Sequence, residues 1–171
     1  SYLTKLIHKE TDKIVIWGGP HPTDNFAELV GEPDALFVGE SEIPLRLFIE
    51  AYFAGRPYDK IPGVIVEKLP YIPATKETYI QDLDDLPLPF YHPDKNSMFF
   101  SDRVENTTEF FRHAIRTVTL LTSRGCPYKC TYCSNDHIMD ILPKGTKVFR
   151  ERSVNHVVRE IKHFTQLFDI E

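Results

Sequence analysis

The segment Cys126-Pro127-Tyr128-Lys129-Cys130-Thr131-Tyr132-Cys133 holds all three cysteines of this 171-residue chain within eight consecutive positions. Its spacing is CxxxCxxC. An odd number of thiols leaves one without a disulfide partner, so the spacing does not predict a disulfide framework. Thiolates bind zinc and the iron of iron-sulfur clusters, which favours one metal site built from all three cysteines. The choice between these metals depends on whether a fourth protein ligand is nearby.

This run, together with the preceding Thr122-Ser123-Arg124-Gly125, resembles the cluster loop of radical S-adenosylmethionine (SAM) enzymes, whose pattern is CxxxCx(aromatic)C. The resemblance implies that Cys126, Cys130 and Cys133 bind three irons of a [4Fe-4S] cluster and that SAM binds the fourth iron. It also implies that Tyr132, at the aromatic position, lies near the adenine of SAM. The implied reaction is cleavage of SAM by one electron from an external reductant, which starts radical chemistry. The resemblance assigns no catalytic side chain.

The residues around the cysteine loop predict one β/α unit. Thr117 to Thr122 is β-branched and apolar, which predicts a strand directly before the loop. In the resembling family this strand opens a partial (β/α) barrel, a fold whose sites lie at the C-terminal ends of its strands. After a polar insertion from Asn135 to Phe149, Ser153 is the predicted N-cap of the first barrel helix. The predicted buried stripe of this helix consists of Val154, Val157, Val158, Ile161, Phe164 and Phe168.

The first 57 residues predict an α/β domain with parallel strands. The chain runs helix, strand, helix, strand, helix, an order that requires right-handed crossovers between parallel neighbours. The predicted elements are a helix at Tyr2 to Glu10, a strand at Ile14 to Trp17, a short helix capped by Asp24 or Asn25, a strand at Asp34 to Glu40, and a helix capped by Ser41. Ligands bind beyond the carboxyl ends of such strands, which here are the Gly18-Gly19 and Gly39-Glu40 loops.

A second resemblance rests on these two loops. WGGPHPT, from Trp17 to Thr23, and FVGESE, from Phe37 to Glu42, resemble the end of the cobalamin-binding domain of B12-type radical SAM proteins. The resemblance implies that the glycine pair Gly18 and Gly19 lies against the nucleotide tail of cobalamin. By the same resemblance Gly39 and Glu40 form the second cofactor-binding loop.

The family often repeats Gly-Glu in the second loop, whereas this chain has Ser41 in place of the second glycine. His21 lies between two prolines, and we interpret it as a loop residue at the pocket edge and not as a ligand of cobalt. Without a ligand, the Gly18-Gly19 stretch has a simpler interpretation as a helix-capping turn.

The sequence therefore predicts a fragment with three segments. Residues 1–57 would be the C-terminal half of a Rossmann-like (flavodoxin-like) cobalamin-binding domain, and residues 117–171 the N-terminal part of a radical SAM core. Residues 58–116 would be an interdomain linker with a small hairpin formed by Ile61 to Val66 and Lys68 to Pro73. In this linker, which has a Leu-Asp-x-Leu-Pro-x-Pro pattern, the acidic residues Asp82, Asp84 and Asp85 are predicted to form a solvated turn.

The function implied by the resemblances is that of a radical SAM enzyme associated with cobalamin. Members of this subfamily methylate, rearrange or cyclise unactivated carbon, and the substrate here would be a small molecule or a peptide. We expect the fragment alone to be inactive. Two other classes are open: a zinc-stabilised module, with His137 as the fourth ligand beside the three cysteines, or a cobalamin carrier or sensor with a structural cluster.

Composition and charge limit the classes of binding partner that the sequence predicts. The net charge of −5 argues against a surface that binds nucleic acid, and we interpret the basic group Arg112, His113 and Arg116 as a solvated face. No apolar run approaches the length of a membrane span. Ser1 to Glu10 also lacks the pattern of a secretion signal, so we expect a cytoplasmic protein without membrane contact.

Overall fold

The structure is a computed structural model. It describes residues 1–68, 70–90, 97–100, 103–106 and 119–168. The chain forms two compact units, one comprising Ser1–Gln81 with Gly125–Phe149 and the other Asp82–Arg124 with Arg150–Glu171. This division cuts the chain at positions other than the predicted boundaries after residues 57 and 116, which stay a prediction.

The first unit is built on a three-stranded mixed sheet. In chain order its elements are α1 (Tyr2–Glu10), β1 (Ile16–Trp17), α2 (Pro20–Leu29), β2 (Ala35–Phe37), α3 (Glu42–Phe53), β3 (Val64–Val66), a 3-10 turn (Lys76–Thr78) and α4 (Ser134–Asp140). The strand order is β1-β2-β3. β1 pairs with β2 in parallel, as the helix and strand order predicts. β2 pairs with β3 antiparallel.

The central strand β2 is covered on both faces, as predicted for a continuous apolar run. On one face Ala35 and Phe37 pack with Phe48 of α3, and the rings of Phe37 and Phe48 meet edge-on with centroids 5.5 Å apart. On the other face Leu36 and Val38 form a second cluster with β3. Partly buried apolar residues complete this second cluster: Trp17, Phe26, Leu29, Val30, Tyr71 and Ile141.

The predicted hairpin in residues 61–73 is wrong. Val64–Val66 joins the main sheet beside β2, and no described residue from Lys68 to Pro73 lies in a strand. Gly63 N donates to Ile72 O at 2.8 Å, so the returning segment is held to the start of β3 by its backbone. Val64 and Ile65 are almost completely buried. Their burial against the core explains the pairing, since a free-standing hairpin would leave one face of each in water.

Two helices of the first unit also differ from expectation. α2 begins at Pro20 and not at Asp24, because Gly19 adopts a left-handed φ of 100° as its N-cap and proline suits the first helical position. Asn25, the alternative predicted cap, is a non-helical residue inside α2 (φ −123°, ψ 22°). The predicted insertion from Asn135 to Phe149 contains α4.

The second unit contains two short strand pairs and one long helix. Its elements are a 3-10 turn (Leu83–Asp85), β4 (Ser97–Phe100), β5 (Arg103–Asn106), β6 (Ser123–Arg124), β7 (Arg150–Glu151) and α5 (Val154–Phe168). β4 pairs with β5 and β6 with β7, both antiparallel. In the described part of the chain no helix has the length and apolar character that crossing a bilayer requires.

The predicted strand before the cysteine loop is displaced. Thr117 and Val118 lie outside the described residues, as do Arg112, His113 and Arg116, and residues 119–122 lie in no strand. The strand is β6, two residues nearer the cysteines, and its partner is the segment directly before α5. Arg152 N donates to Thr122 O at 2.9 Å, which extends this backbone pairing by one step.

The predicted last helix is confirmed in its bounds and its cap, but its buried face is different. Ser153 Oγ accepts a hydrogen bond from His156 N at 3.1 Å, which is the geometry of an N-cap. His156, Glu160 and Phe164, spaced by four residues, are buried. Of the predicted apolar stripe, Phe164 is buried as predicted, whereas Val154, Val158 and Ile161 are exposed.

A buried polar network explains this orientation of α5. Arg152 forms an ion pair with Glu160, and both side chains are nearly buried. The same guanidinium donates through Nε to His156 Nδ1 at 3.1 Å and through Nη1 to Leu121 O at 3.1 Å. Burial of charges is costly unless they are paired, so these contacts offset the cost of turning this face of α5 inward.

Asp84 belongs to this network and is not simply part of a solvated turn. Its Oδ1 accepts a hydrogen bond from Ser153 N at 2.9 Å and lies 3.4 Å from His156 Nδ1. The carboxylate therefore caps the N-terminus of α5 from a segment 69 residues earlier in the chain. The side-chain and backbone hydrogen bonds from Ser153 hold the pKa of Asp84 below its ordinary value.

Replacing Asp84 with Asn should therefore destabilise the second unit in a pH-dependent way. A lowered pKa in the folded state stabilises folding above the ordinary carboxyl pKa, and this contribution disappears as pH falls through the lowered value. Urea unfolding followed by circular dichroism should show a lower midpoint for Asp84→Asn at pH 7 and a smaller difference at pH 3. Asp85→Asn, whose side chain is exposed, is the matched control. Equal effects of the two variants at pH 7 would contradict the capping role.

Candidate cofactor sites

The cysteine loop lies in the first unit and leads into α4. Gly125 turns the chain before the first cysteine with a left-handed φ of 84°. A side chain there has no room, because a Cβ on Gly125 would overlap the backbone carbonyl of Val148. Further along, Cys133 N donates to Cys130 O at 2.9 Å, and Cys133 is the N-cap residue of α4. The loop is thus fixed at both ends by backbone geometry.

The donor chemistry of this loop fits a soft metal. Cys126, Cys130 and Cys133 are free thiols, and each is half-buried. Among the described residues no three His, Cys, Asp or Glu side chains converge into a metal-ligand group. The assignment of the three cysteines as ligands therefore stays a prediction. His137 lies in α4, but its side chain is outside the described part of the structure.

The two tyrosines of the cysteine loop face water. Tyr132, the aromatic residue of the motif, is 89% exposed, and Tyr128 is 71% exposed. Both rings are therefore accessible from solvent. The predicted contact of Tyr132 with adenine rests on the resemblance alone.

The two glycine loops lie side by side at one edge of the sheet, as parallel pairing of β1 and β2 requires. The Gly18-Gly19 loop joins β1 to α2, and the Gly39-Glu40 loop joins β2 to α3. A Cβ on Gly18 would lie 3.7 Å from Ser41 Oγ, so the first loop passes directly beside the start of α3. The sequence correctly predicts that these loops are neighbours.

Thr23 is a residue of this edge that the sequence analysis missed. It lies in the first turns of α2 and is only 2% exposed. Its hydroxyl accepts a hydrogen bond from Gly39 N at 3.0 Å, which links the two loops. The only sequence signal is a hydroxyl residue four positions after Gly19, and that pattern alone does not distinguish an inward side chain from an outward one.

His21 takes part in a local contact within α2. Its side chain is exposed, and its Nδ1 lies 3.3 Å from Asn25 Nδ2. Asn25 also donates to the backbone carbonyl of His21 at 3.1 Å. The residue therefore belongs to the first turn of a helix and not to the preceding loop.

The helices that follow the two candidate sites contact each other. α2 begins after the Gly18-Gly19 loop, α4 begins after Cys133, and the two helices pack together. Ile141, at the end of α4, packs against the cluster formed by Leu36, Val38 and Ile65. The cysteine loop and the glycine loops are therefore carried by one compact unit.

Three known proteins that are similar in sequence to this chain are methyltransferases. No protein-family model matches the chain. It is 28% identical over 151 residues to the uncharacterized methyltransferase PH0819 of Pyrococcus horikoshii, covering 86% of this chain and 29% of the relative. It is 27% identical over 195 residues to the cytidylyl-2-hydroxyethylphosphonate methyltransferase of Streptomyces wedmorensis, covering 99% of this chain and 35% of the relative.

The third relative is a radical SAM enzyme that depends on cobalamin. The chain is 30% identical over 137 residues to the cobalamin-dependent radical SAM methyltransferase TokK of Streptomyces tokunonensis, covering 77% of this chain and 19% of the relative. The chain is homologous to part of the cobalamin-dependent radical SAM methyltransferases. It spans about a third or less of the length of the relatives that it matches.

The fold agrees with a solved structure of this class. The radical SAM methyltransferase TsrM from Kitasatospora setae, solved with cobalamin and a [4Fe-4S] cluster bound, matches 96% of this chain and 31% of its own with a TM-score of 0.68. At 19% identity this match shows a shared fold. It supports a mixed α/β architecture for the chain and does not by itself assign a ligand.

The geometry at Gly125 gives a test of the cysteine loop. Gly125→Ala should destabilise the first unit more than Gly145→Ala by about 1 to 3 kcal/mol, the usual cost of forcing atoms into occupied space. Gly145 is a matched control, because its φ of 79° is equally left-handed but no atom lies within 4 Å of its Cβ position. Urea unfolding can be followed by fluorescence of Trp17, the single tryptophan. Equal losses in the two variants would show that the Val148 carbonyl does not restrict this turn.

Proposed function

We propose that this chain is a segment of a cobalamin-dependent radical SAM methyltransferase. The observation that carries the proposal is the combination of sequence similarity to TokK with the Cys126, Cys130 and Cys133 spacing. In this proposal residues 1–57 belong to a cobalamin-binding domain and residues 117–171 to the start of a partial barrel. The substrate, a small molecule or a peptide, would be held by parts of the protein other than those described above.

The cysteine loop would hold a [4Fe-4S] cluster through its three thiolates, leaving one iron for SAM. When bound, the cluster would supply the electron that cleaves SAM. The protein's own contribution is to keep three thiols within one short loop. Tyr132 would offer its exposed ring to the adenine of SAM. The glycine loops, carried by the same compact unit, would hold the nucleotide tail of cobalamin.

Two other functions stay open as outcomes of the same tests. A zinc-stabilised binding module would bind one zinc through the three cysteines and His137, without needing SAM. A cobalamin carrier or sensor would bind corrinoid but leave SAM intact under reduction. The similarity to three methyltransferases favours the enzyme.

Anaerobic reconstitution with iron and sulfide should give a brown protein with about four irons per chain, the content of a cubane cluster. Replacing any one of the three cysteines with alanine should abolish it, because no other thiol is present to take its place. Iron and sulfide analysis with electron paramagnetic resonance of the reduced protein would measure this. Ser134→Ala, at the start of α4 next to the last cysteine, is the control for a neighbouring change that removes no ligand. A normal cluster in Cys130→Ala would exclude the assignment, and stoichiometric zinc lost in His137→Ala would favour the zinc module.

The glycine loop can be tested separately through cobalamin. Gly19→Val should weaken binding of hydroxocobalamin by the full-length protein by about tenfold or more, since a branched side chain would occupy the space where the tail lies. Gly31→Val is the matched control, because Gly31 also has a left-handed φ (86°) and no atom within 4 Å of its Cβ position. Absorbance titration measures the affinity. We expect weak or no binding by the 171-residue chain alone. Equal affinities of the two variants would argue against a ligand at Gly19.

A further inference from the structure

The polar contact between the two glycine loops is internal to the protein. Thr23 is buried to 98%, so its hydroxyl makes its hydrogen bonds inside the fold. Gly39 N donates to that hydroxyl at 3.0 Å. Thr23 N in turn donates to Gly19 O at 3.1 Å, the first hydrogen bond of α2. One residue thus binds the carbonyl of the first loop through its backbone and the amide of the second loop through its side chain.

The amide and the carbonyl of Gly39 each have a hydrogen-bond partner within the fold. Its amide is taken by Thr23, and its carbonyl accepts a hydrogen bond from Ser41 Oγ at 3.3 Å. Its φ of 84° lies in the left-handed region, a backbone conformation that residues other than glycine rarely adopt. Gly39 is therefore required for the shape of the turn, and its amide is not available to a ligand.

The side chain of Ser41 also lies at this junction of the two loops. Ser41, the N-cap residue of α3, lies 3.7 Å from the Cβ position of Gly18. Thr23 therefore links α2 to both loops, whereas the hydroxyl of Ser41 bonds within the second loop and lies beside the first. A ligand that lies across two loops binds more tightly when their separation is already fixed, because less ordering has to occur on binding.

We propose that Thr23 is a positioning residue for the cobalamin edge: its buried hydroxyl holds the Gly39 turn against the Gly18-Gly19 loop, and the cofactor's tail contacts the first loop and not the amide of Gly39. The inference rests on the proposed function for its ligand, whereas the hydrogen bond itself is independent of any ligand. It revises the predicted site, since it assigns Gly39 to the architecture of the edge and adds Thr23 as a residue that acts without touching the ligand.

The hydrogen bond is tested first, in the 171-residue chain without cofactor. The amide of Gly39 should be protected from hydrogen exchange in the natural chain, and Thr23→Val should accelerate its exchange by about tenfold or more, because valine has the same shape but no acceptor. Thr23→Ser should restore the protection. The amide of Val38, which donates to Gly63 O at 2.9 Å, is the internal reference and should not change. An unprotected Gly39 amide in the natural chain would overturn the proposal even if the valine variant failed to fold.

The positioning role is tested next, in the full-length protein with hydroxocobalamin. Thr23→Val should weaken binding by about tenfold, and Thr23→Ser should bind within about threefold of the natural protein. Faster exchange at Gly39 with unchanged affinity would overturn the positioning role and leave Thr23 as a purely structural residue. If the natural protein binds no corrinoid, the proposed function fails at the glycine edge, and the proposal for Thr23 as a cofactor-positioning residue fails with it. In that outcome the exchange data would still establish the Thr23 to Gly39 hydrogen bond.

Discussion

Burial of β2 on both faces is the constraint on which the first unit depends. Ala35 and Phe37 pack on the α3 side, and Leu36 and Val38 pack on the α2 side, so each helix is required to cover one face of the same strand. Because β1 and β2 pair in parallel, α2 begins beyond the end of β1 and α3 begins beyond the neighbouring end of β2. The loops before α2 and α3 are thereby brought to the same edge of the sheet, which is where the candidate cofactor residues lie.

The first unit was largely predictable because its signals are local. Glycines, prolines and continuous apolar runs specify turns and buried strands over a few residues, and α1, α3 and the parallel pairing follow from them. The placement of β3 was not predictable in the same way. Nothing within residues 61–73 distinguishes a local hairpin from pairing with β2, and the choice depends on the apolar surface that a distant strand offers.

The second unit shows why periodicity can mislead about a buried face. α5 carries a regular row of valine, isoleucine and phenylalanine, yet His156 and Glu160 are among its buried residues. The decisive partners are Arg152 and Asp84, and the contact with Asp84 joins residues 69 positions apart. The candidate site likewise combines residues that the sequence reveals with one whose role only the fold reveals. The cysteines and glycines are visible as motifs, whereas Thr23 acts through its orientation, which only the fold determines.

The buried pair of Arg152 and Glu160 also affects how the second unit responds to heat. Hydration of charged groups becomes less favourable as temperature rises, so the cost of removing this pair from water falls on warming. Apolar burial gains no comparable advantage in the same range. A helix anchored by an enclosed ion pair, with several of its valine and isoleucine side chains in solvent, therefore retains more of its anchoring at high temperature than one held by apolar contacts alone.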